Sequence, residues 1–385
     1  MITARPGQAA VTAVLPEPPG LPVLGHLWSW ATAPLSVMEA GARTGPVFRL
    51  RLWRPAVVGY TPGWNRAVLT DLDAFRSRGS LSGLTPYLAA GVVSADVPAH
   101  RAYRRDLSRH FGARSLAGLG GPLREISERH RPGGPFEALG WSGRLVRHML
   151  NAALFGEAMP DQLLARFLRP LHQDMPAPML PRPRLFRRTD AAIARVLADP
   201  PPGSMAANLA DRPDAVTDLR VALAAGYDTT SHTLAWAAWH LGAHPQWRQA
   251  QARPLFIDEM LRLYPAGWLG SRVTSRDTVA AGVHLPAGTL VLYSPYLTHR
   301  DPGLWPGPHL IRPERFESGH PSWSYLPFAA GPRSCLGTHL ARLMLEAALA
   351  SLGHGTLTQA GGDPGIATGI TLRPRGPLYL RLHGR

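Results

Sequence analysis

The spacing of apolar positions along the chain predicts a mainly helical protein with a small β-rich part. Alternation over 47–52 and a short apolar run over 56–60 predict two early strands. Apolar residues that recur at helical spacing predict helices over 34–43, 62–69, 100–111, 214–241 and 256–264. Two further strands are predicted over 278–283 and 289–293, and 122–197 is helical with proline-rich breaks.

Irregular stretches divide this pattern without dividing the chain into domains. Residues 76–98 are rich in Gly, Ser and Pro, which is typical of a surface loop or a lid over a site. The breaks at 131–135 and 200–203 are loops and not domain linkers, because neither is long and polar enough. Residues 1–14 are predicted to be a flexible N-terminal segment.

The charge balance is strongly basic, with a formal net charge of +15, and every one of the 41 basic residues is arginine. A basic chain raises nucleic-acid binding as a function class. The arginines are scattered, however, and no basic–aromatic stripe or zinc-ligand spacing accompanies them, so no nucleic-acid partner is expected. A distributed basic surface suits an acidic protein partner.

The single cysteine excludes an intramolecular disulfide, and residues 1–14 contain no long apolar run. These features predict a soluble, cytoplasmic protein without a membrane anchor.

The candidate chemistry is concentrated in the loop that contains this cysteine, Phe328-Ala-Ala-Gly-Pro-Arg-Ser-Cys-Leu-Gly337, and a helical stretch follows at once. A thiol just before a helix N-terminus is favoured as a thiolate, which is an electron-rich ligand for a haem iron. Gly331 and Gly337 are expected to let the backbone turn around the sulfur. A lone buried cysteine can also be an ordinary small apolar residue.

The complete pattern F-x-x-G-x-R-x-C-x-G resembles the haem-binding loop of the bacterial cytochrome P450 family. The resemblance implies the P450 fold in a single domain over 15–385, with haem b between a long oxygen-binding helix and the helix after the cysteine loop. It also implies that 76–98 covers the substrate and that 76–98 and 173–185 form the substrate pocket. It makes Cys335 the iron ligand. Phe328, Gly331, Arg333 and Gly337 are then expected to contribute to the haem site.

The longest helical pattern contains Ala225-Gly-Tyr-Asp-Thr-Thr230, in which Gly, Asp and Thr conflict with helix propensity. A crossing of helices at small residues would explain this too. The sequence A-G-x-D-T-T is similar to the family's oxygen-binding kink. The resemblance implies that Ala225 and Gly226 leave room for O2, that Asp228 gathers protons from solvent, and that Thr229 passes them on.

Cationic residues are predicted to hold the haem propionates. His100 and Arg104 are four residues apart, so two cations lie on one helical face. Such a pair is also common on solvated helices. Its position is similar to the family's propionate-binding pair, and the resemblance adds Arg272 and Arg333 as further donors.

Two further motifs, E-x-x-R at Glu259 and Arg262 and P-E-R-F at 313–316, resemble the family's structural ion-pair cluster. A surface pair at this spacing would add little stability. The apolar neighbours favour a buried cluster with Arg315 that fixes the cysteine loop.

Together these motifs imply a monomeric monooxygenase that inserts one atom of O2 into a small to medium apolar substrate of bacterial secondary metabolism. Electrons are expected from a separate acidic ferredoxin and an NAD(P)H-dependent reductase. Three alternatives remain open: a haem-thiolate enzyme with an atypical outcome (coupling, nitration, isomerisation or peroxide-driven oxidation), a non-catalytic haem sensor, and a basic nucleic-acid binder. The relay of Asp228 and Thr229 argues against a purely peroxide-driven enzyme.

Overall fold

The computed structural model describes residues 15–171 and 179–384. Two sequence predictions fall at least partly outside these ranges. They are the flexible segment 1–14 and residues 173–178 of the predicted pocket segment 173–185. The helices are α1 (Leu27–Thr32), α2 (Pro34–Thr44), α3 (Pro62–Thr70), α4 (Gly91–Ser94), α5 (Ala99–Ser108), α6 (Ala113–Leu116), α7 (Gly120–Arg129), α8 (Ala138–Phe155), α9 (Asp161–Leu168), α10 (Pro183–Ala198), α11 (Met205–Leu209), α12 (Ala215–Ala243), α13 (Arg253–Leu263), α14 (Pro295–Thr298) and α15 (Thr338–Leu352).

The strands form small sheets at the edge of the helical part. They are β1 (Val47–Arg51), β2 (Pro55–Gly59), β3 (Phe75–Arg76), β4 (Pro135–Glu137), β5 (Gly270–Thr274), β6 (Thr278–Ala280), β7 (Val283–Leu285), β8 (Leu290–Tyr293), β9 (Thr356–Gly362), β10 (Ile366–Thr368), β11 (Leu372–Pro374) and β12 (Leu378–His383). The largest sheet has the order β1-β2-β8-β5-β3, in which β2 and β8 are parallel. The prediction of a mainly helical chain with a small β-rich part is confirmed.

The structure differs from the strand predictions around residues 270–283. The stretch predicted as one strand over 278–283 is a hairpin, because Ala281 and Gly282 adopt positive φ angles of 48° and 81° and reverse the chain. Strand β5 was not predicted, since Ser271 and Arg272 interrupt its apolar pattern. Hydrogen bonds to β8 and β3 on its two sides hold it in the sheet.

Helix α12 runs through the core and contacts α8, α10 and α15. It is apolar on nearly every side, with Leu223, Leu234 and Trp236 fully or almost fully buried. A helix that is hydrophobic all round is stable only inside a protein, which places this one at the centre. No helix in the described ranges has both the length and the apolar character needed to cross a bilayer.

Local signals at the ends of α8 show how the sequence sets these boundaries. The Glu137 carboxylate accepts hydrogen bonds from the N–H groups of Leu139 and Gly140, at 2.9 and 2.6 Å, and so caps the start of the helix. Gly156 ends it in the left-handed conformation with φ of 58°. This 18-residue helix supports α12 along one side of the cavity described next.

Candidate active site

A cavity of about 420 Å³ brings together most of the residues that the sequence motifs single out. It contains residues from α5, α12, β5 and the cysteine loop, with apolar side chains such as Val221 and Leu269 between them. The predicted residues that line it are His100, Arg104, Ala225, Gly226, Thr229, Arg272, Phe328, Arg333, Cys335 and Gly337. Asp228 and Gly331 are not among the lining residues. From the predicted pocket segment 76–98, Ser77, Ser82, Val92 and Val93 line the cavity.

The cysteine loop is folded by its own backbone hydrogen bonds. The N–H of Cys335 donates to the Phe328 carbonyl at 2.8 Å, and the N–H of Ser334 donates to the Gly331 carbonyl at 3.0 Å. Gly331 has a φ of 71°, and a Cβ there would lie 2.8 Å from the Leu69 carbonyl oxygen. Glycine is therefore required at this position by the turn and by the close approach of α3.

Gly337 does not have the steric role that the sequence suggested. Its φ is −79°, an ordinary value, and a Cβ there would lie 3.8 Å from the Cys335 Sγ, which is normal van der Waals distance. The N–H of Gly337 is the feature that matters to the sulfur, because it favours the thiolate form.

The electrostatics around Cys335 are balanced between opposing effects. Burial raises the pKa of the Cys335 thiol, whereas the Gly337 N–H and the Arg104 cation lower it, and the net shift is upward. The start of the following helix therefore does not by itself hold the sulfur as an anion, contrary to expectation. Since a coordinating metal deprotonates a thiol outright, an iron bound to Cys335 would supply what the helix terminus lacks. The side chain faces the cavity, which leaves the sulfur open to such a ligand.

Four nitrogen-containing side chains, those of His100, Arg104, Arg272 and Arg333, lie close together in the wall of this cavity. Arg104 donates to the carbonyl and hydroxyl oxygens of Ser334, the latter at 3.2 Å, which ties α5 to the cysteine loop. Arg333 donates to Asp96 at 2.9 Å, the one carboxylate within ion-pair distance of these arginines among the described residues. Arg272 donates to the Ser271 carbonyl at 2.7 Å.

His100 is a neutral member of this group and not the second cation that was expected. Burial and the nearby cations Arg333, Arg104 and Arg272 lower the pKa of His100 to about 4. Burial and Arg272 likewise lower the pKa of Arg333 to about 10. Positive charge is thus crowded here beyond what Asp96 neutralises.

The same group retains hydrogen-bonding capacity that no described residue satisfies. His100 Nδ1, Arg272 Nε and Arg333 Nε are buried and have no hydrogen-bond partner in 15–171 or 179–384. Buried donors of this kind normally have partners, so their presence beside an excess of cations indicates an anionic ligand. Two propionates, an apolar macrocycle and an iron that accepts a thiolate match these features, and the residues present therefore fit a haem.

The oxygen-side motif lies on an unbroken helix. The kink implied by the family resemblance is not a break in α12, which is helical from Ala215 to Ala243. The hydroxyl of Thr229 donates to the Ala225 carbonyl one turn earlier, at 2.7 Å, and Thr233 repeats this contact to the Thr229 carbonyl at 2.9 Å. These hydroxyls satisfy themselves within the helix while their side chains face the cavity.

Close packing against α8 is a second reason for a glycine at position 226, besides the space that it leaves in the cavity. A Cβ at this position would lie 3.0 Å from the Leu150 Cδ2 of α8, tighter than normal contact. The glycine therefore sets how closely α8 and α12 approach, which is the helix-crossing explanation that the sequence also allowed.

Asp228 lies beside the cavity and not in its wall. Its side chain is buried, with 4% exposure. Asp228 therefore has no direct contact with solvent through which to take up protons, which differs from the expectation. The Thr371 hydroxyl donates to Asp228 Oδ2 at 2.7 Å, and His232 Nδ1 lies 2.6 Å from the same hydroxyl. Burial raises the pKa of Asp228 to about 7. Sequence reasoning missed both partners. The spacing of Asp228 and His232 was a signal, but Thr371 is 143 residues away.

The predicted structural cluster forms with its expected members. The Arg262 guanidinium makes two hydrogen bonds to the Glu259 carboxylate, at 2.7 and 2.9 Å, and Arg315 Nε approaches the same carboxylate at 3.3 Å. His299 was missed. Its Nε2 accepts from the Leu326 N–H at 2.7 Å and its Nδ1 contacts the Arg262 carbonyl at 3.0 Å, which connects the cluster to the entrance of the cysteine loop.

Comparison with known proteins agrees with this geometry. The family model described as Cytochrome P450 matches residues 254–352. Cyclooctatin synthase from Streptomyces melanosporofaciens is 28% identical over 86% of this chain and 87% of its own length. Cytochrome P450 3A29 from Sus scrofa is 36% identical, but over 32% of this chain and only 30% of that protein.

Solved structures give the same fold over nearly the whole chain. CYP175A1 from Thermus thermophilus has a TM-score of 0.79 with 25% identity and covers 93% of this chain and 97% of its own. The retinoic acid-bound cyanobacterial CYP120A1 has a TM-score of 0.81 with 23% identity, at 96% and 99% coverage.

The cysteine loop, the buried cations and the central helix share one cavity, and both sequence and structure match known members. The fold is that of known cytochrome P450 structures, and residues 254–352 match the Cytochrome P450 family model.

Proposed function

We propose that the protein is a haem-thiolate monooxygenase that uses haem b and O2. The observation that carries this proposal is the shared cavity, in which the Cys335 thiol, the cations of α5 and β5, and Thr229 of α12 face one space. Ligand pockets of this size are ordinary for cofactor and substrate sites. Haem held there would supply the activation of O2 that monooxygenation requires.

The chain's own residues divide the work between binding and proton transfer. Cys335 would hold the iron as a thiolate, and His100, Arg104, Arg272 and Arg333 would hold the propionates by charge-assisted hydrogen bonds. Thr229 lines the cavity with a hydroxyl that can accept a hydrogen bond from water while it donates to Ala225. Asp228 holds a proton about half of the time near pH 7, as its pKa of about 7 requires.

The substrate class follows from the lining of the cavity and from one relative. Between the polar residues, side chains such as Val92, Val221 and Leu269 make the wall apolar. We propose a small to medium apolar substrate of secondary metabolism, in line with the name of the relative cyclooctatin synthase. Substrate-induced spin-state titrations with candidate apolar metabolites test this class.

The proposed electron source is a separate acidic ferredoxin with an NAD(P)H-dependent reductase, and the enzyme is proposed to act as a cytoplasmic monomer. A chain with net charge +15 attracts an acidic partner through long-range steering. The rate of reduction by the ferredoxin should therefore fall as ionic strength rises, because salt screens this attraction. A salt-independent rate would contradict electrostatic docking.

The reduced, CO-treated spectrum tests the ligand assignment. The wild-type protein should show the far-shifted Soret band of a thiolate ligand, and Cys335→Ser should lose it while the arginines still retain haem. In turnover, Thr229→Ala should keep haem but divert electrons to peroxide. A Cys335→Ser protein with an unchanged CO spectrum would overturn the proposal.

A further inference from the structure

Two polar side chains outside the cavity wall, Thr371 and His232, form a ring of contacts with Asp228, with hydrogen bonds on two of its three sides. Thr371, immediately before β11, donates its hydroxyl to Asp228 Oδ2 at 2.7 Å. His232, one turn after Asp228 on α12, has its Nδ1 2.6 Å from the same hydroxyl oxygen. Its Nε2 lies 3.7 Å from the other carboxylate oxygen, Oδ1. Three groups that exchange protons are thus in mutual reach.

The single proton of the Thr371 hydroxyl makes this ring directional. When Thr371 donates to an ionised Asp228, its oxygen can only accept from His232, so Nδ1 must be an N–H. When Asp228 is protonated and donates to Thr371, the hydroxyl turns its proton to Nδ1. The two arrangements differ by the transfer of one proton through the hydroxyl.

Burial explains why such an internal donor is needed. Asp228 is 4% exposed, His232 is 1% and Thr371 is 3%. An acid that passes a proton toward Thr229 while shielded from bulk water receives its next proton through neighbouring groups. His232, on the face of α12 that Asp228 shares, is placed to pass a proton to it through Thr371.

The charges around the ring are compatible with this exchange. Burial raises the pKa of Asp228 to about 7, so this acid can both gain and lose a proton near neutral pH. The adjacent phenol of Tyr227 has its pKa raised to about 12 by burial and is neutral.

Resting on the proposed function, we propose that Thr371 and His232 form a proton relay that positions and reloads Asp228. The imidazolium Nδ1–H of His232 moves to the Thr371 oxygen, and the original Thr371 proton moves to Asp228 Oδ2. The products are a neutral imidazole, an intact hydroxyl and a carboxylic acid. One proton is transferred in total, and no electrons or further reactants are involved.

The haem-loaded protein tests the relay without a known substrate. With a surrogate acidic ferredoxin and reductase, NAD(P)H and O2 consumption give the share of O2 reduced to water and the share released as peroxide. Thr371→Val removes the hydroxyl at nearly constant shape, so we expect the share of O2 that is reduced to water to fall about tenfold. This is a modest part of the rate enhancement that general acid–base groups contribute. The solvent deuterium isotope effect on NAD(P)H oxidation should also increase.

Matched variants separate the relay from a structural role. Thr371→Ser restores the hydroxyl and should return the share of O2 reduced to water to within about twofold of wild type. His232→Asn keeps a hydrogen-bonding side chain but cannot carry a proton, so it should resemble Thr371→Val. Thr189→Val is the control, since Thr189 is equally buried and donates only to Leu185 of its own helix. If Thr371→Val matches Thr189→Val in water share and isotope effect, there is no relay.

A readout independent of turnover is the titration of Asp228, followed by its infrared carboxyl band with Asp228→Asn for assignment. The Thr371 hydrogen bond lowers the pKa of Asp228. Thr371→Val should therefore raise this pKa by about one to two units, the equivalent of a hydrogen bond to a charged group, and Thr371→Ser should restore it. An unchanged titration overturns the relay even when the CO spectrum confirms the thiolate. Absence of the thiolate band in the wild-type protein overturns the proposed function instead.

Discussion

Two buried arginine clusters in this protein are built from the same residue type and differ in how their charge is neutralised. One surrounds Glu259 at the end of α13, and the other surrounds the cavity that Cys335 faces. Both contain arginines tied to chain segments far away in sequence, yet only one of them is complete in itself.

The cluster at Glu259 is satisfied from within the protein. Arg262 donates to both oxygens of the Glu259 carboxylate and to the carbonyl oxygens of His299 and Pro308, and its side chain is completely buried. Glu259 also accepts from the N–H of Arg312 at 2.9 Å. A buried ion pair is tolerated only with such additional hydrogen bonds, and here they hold α13, the following loop and the path to Cys335 together.

The cluster at the cavity is left open toward a ligand. Arg104, Arg272 and Arg333 face the same space, and Asp96 is the only carboxylate paired with them among the described residues. Arg272 Nε and Arg333 Nε are buried without a partner there. The comparison indicates that surplus charge and unsatisfied donors mark a binding site, whereas arginines whose charge is paired and whose donors are bonded mark a scaffold.

The largest expected effect is on the scaffold cluster. Glu259→Gln leaves Arg262 as an uncompensated buried cation, which should lower the free energy of unfolding by about 3–5 kcal/mol. Urea unfolding of the haem-loaded protein measures this loss. A variant as stable as wild type would show that the two clusters do not differ in this way.

Asp228 extends the comparison to a buried acid, whose contribution to the free energy of unfolding depends on pH. Its folded pKa of about 7 lies above the unfolded value of about 3.9, so between these values the folded state keeps a proton that the unfolded state releases. Stability therefore falls as pH rises from about 4 to 7, by at most about 4 kcal/mol. Asp228→Asn cannot titrate, so its stability relative to wild type should rise over the same range. Thermal unfolding at pH 5 and pH 8 checks the sign, and an equal difference at both values would contradict the raised pKa.

Removing one arginine of the open cluster should weaken haem binding more than it weakens the fold. Arg272→Gln loses a charge-assisted hydrogen bond of about 1.5–3 kcal/mol, which corresponds to about 10- to 100-fold faster haem transfer to excess apomyoglobin. Arg276→Gln is the control, because Arg276 is largely exposed and only weakly paired with Asp71 at 3.5 Å. Equal haem loss from both variants would contradict the assignment of the open cluster.

The smallest effect is expected at the surface. Arg101 is adjacent to His100 but pairs with Asp73 in solvent, with more than half of each side chain exposed. Arg101→Gln should change the free energy of unfolding by less than about 0.5 kcal/mol, because exposed pairs contribute little. A loss comparable to that of Glu259→Gln would show that burial does not set the ranking.

Local sequence patterns were sufficient to predict the central helices and the cysteine-loop motif of this protein. Apolar periodicity located α12 and α13, and the complete pattern around Cys335 indicated a haem ligand, because each depends on residues close together in the chain. The required glycine at position 331 was readable for the same reason.

Which groups meet across long separations in the chain, and what charge they carry there, depends on the packed fold. Burial among three arginines makes His100 neutral, burial gives Asp228 a pKa of about 7, and the chain's return through β11 brings Thr371 to that acid. The physical reason is that desolvation and contacts between distant segments exist only in the packed fold, and both set protonation more strongly than neighbours in sequence do.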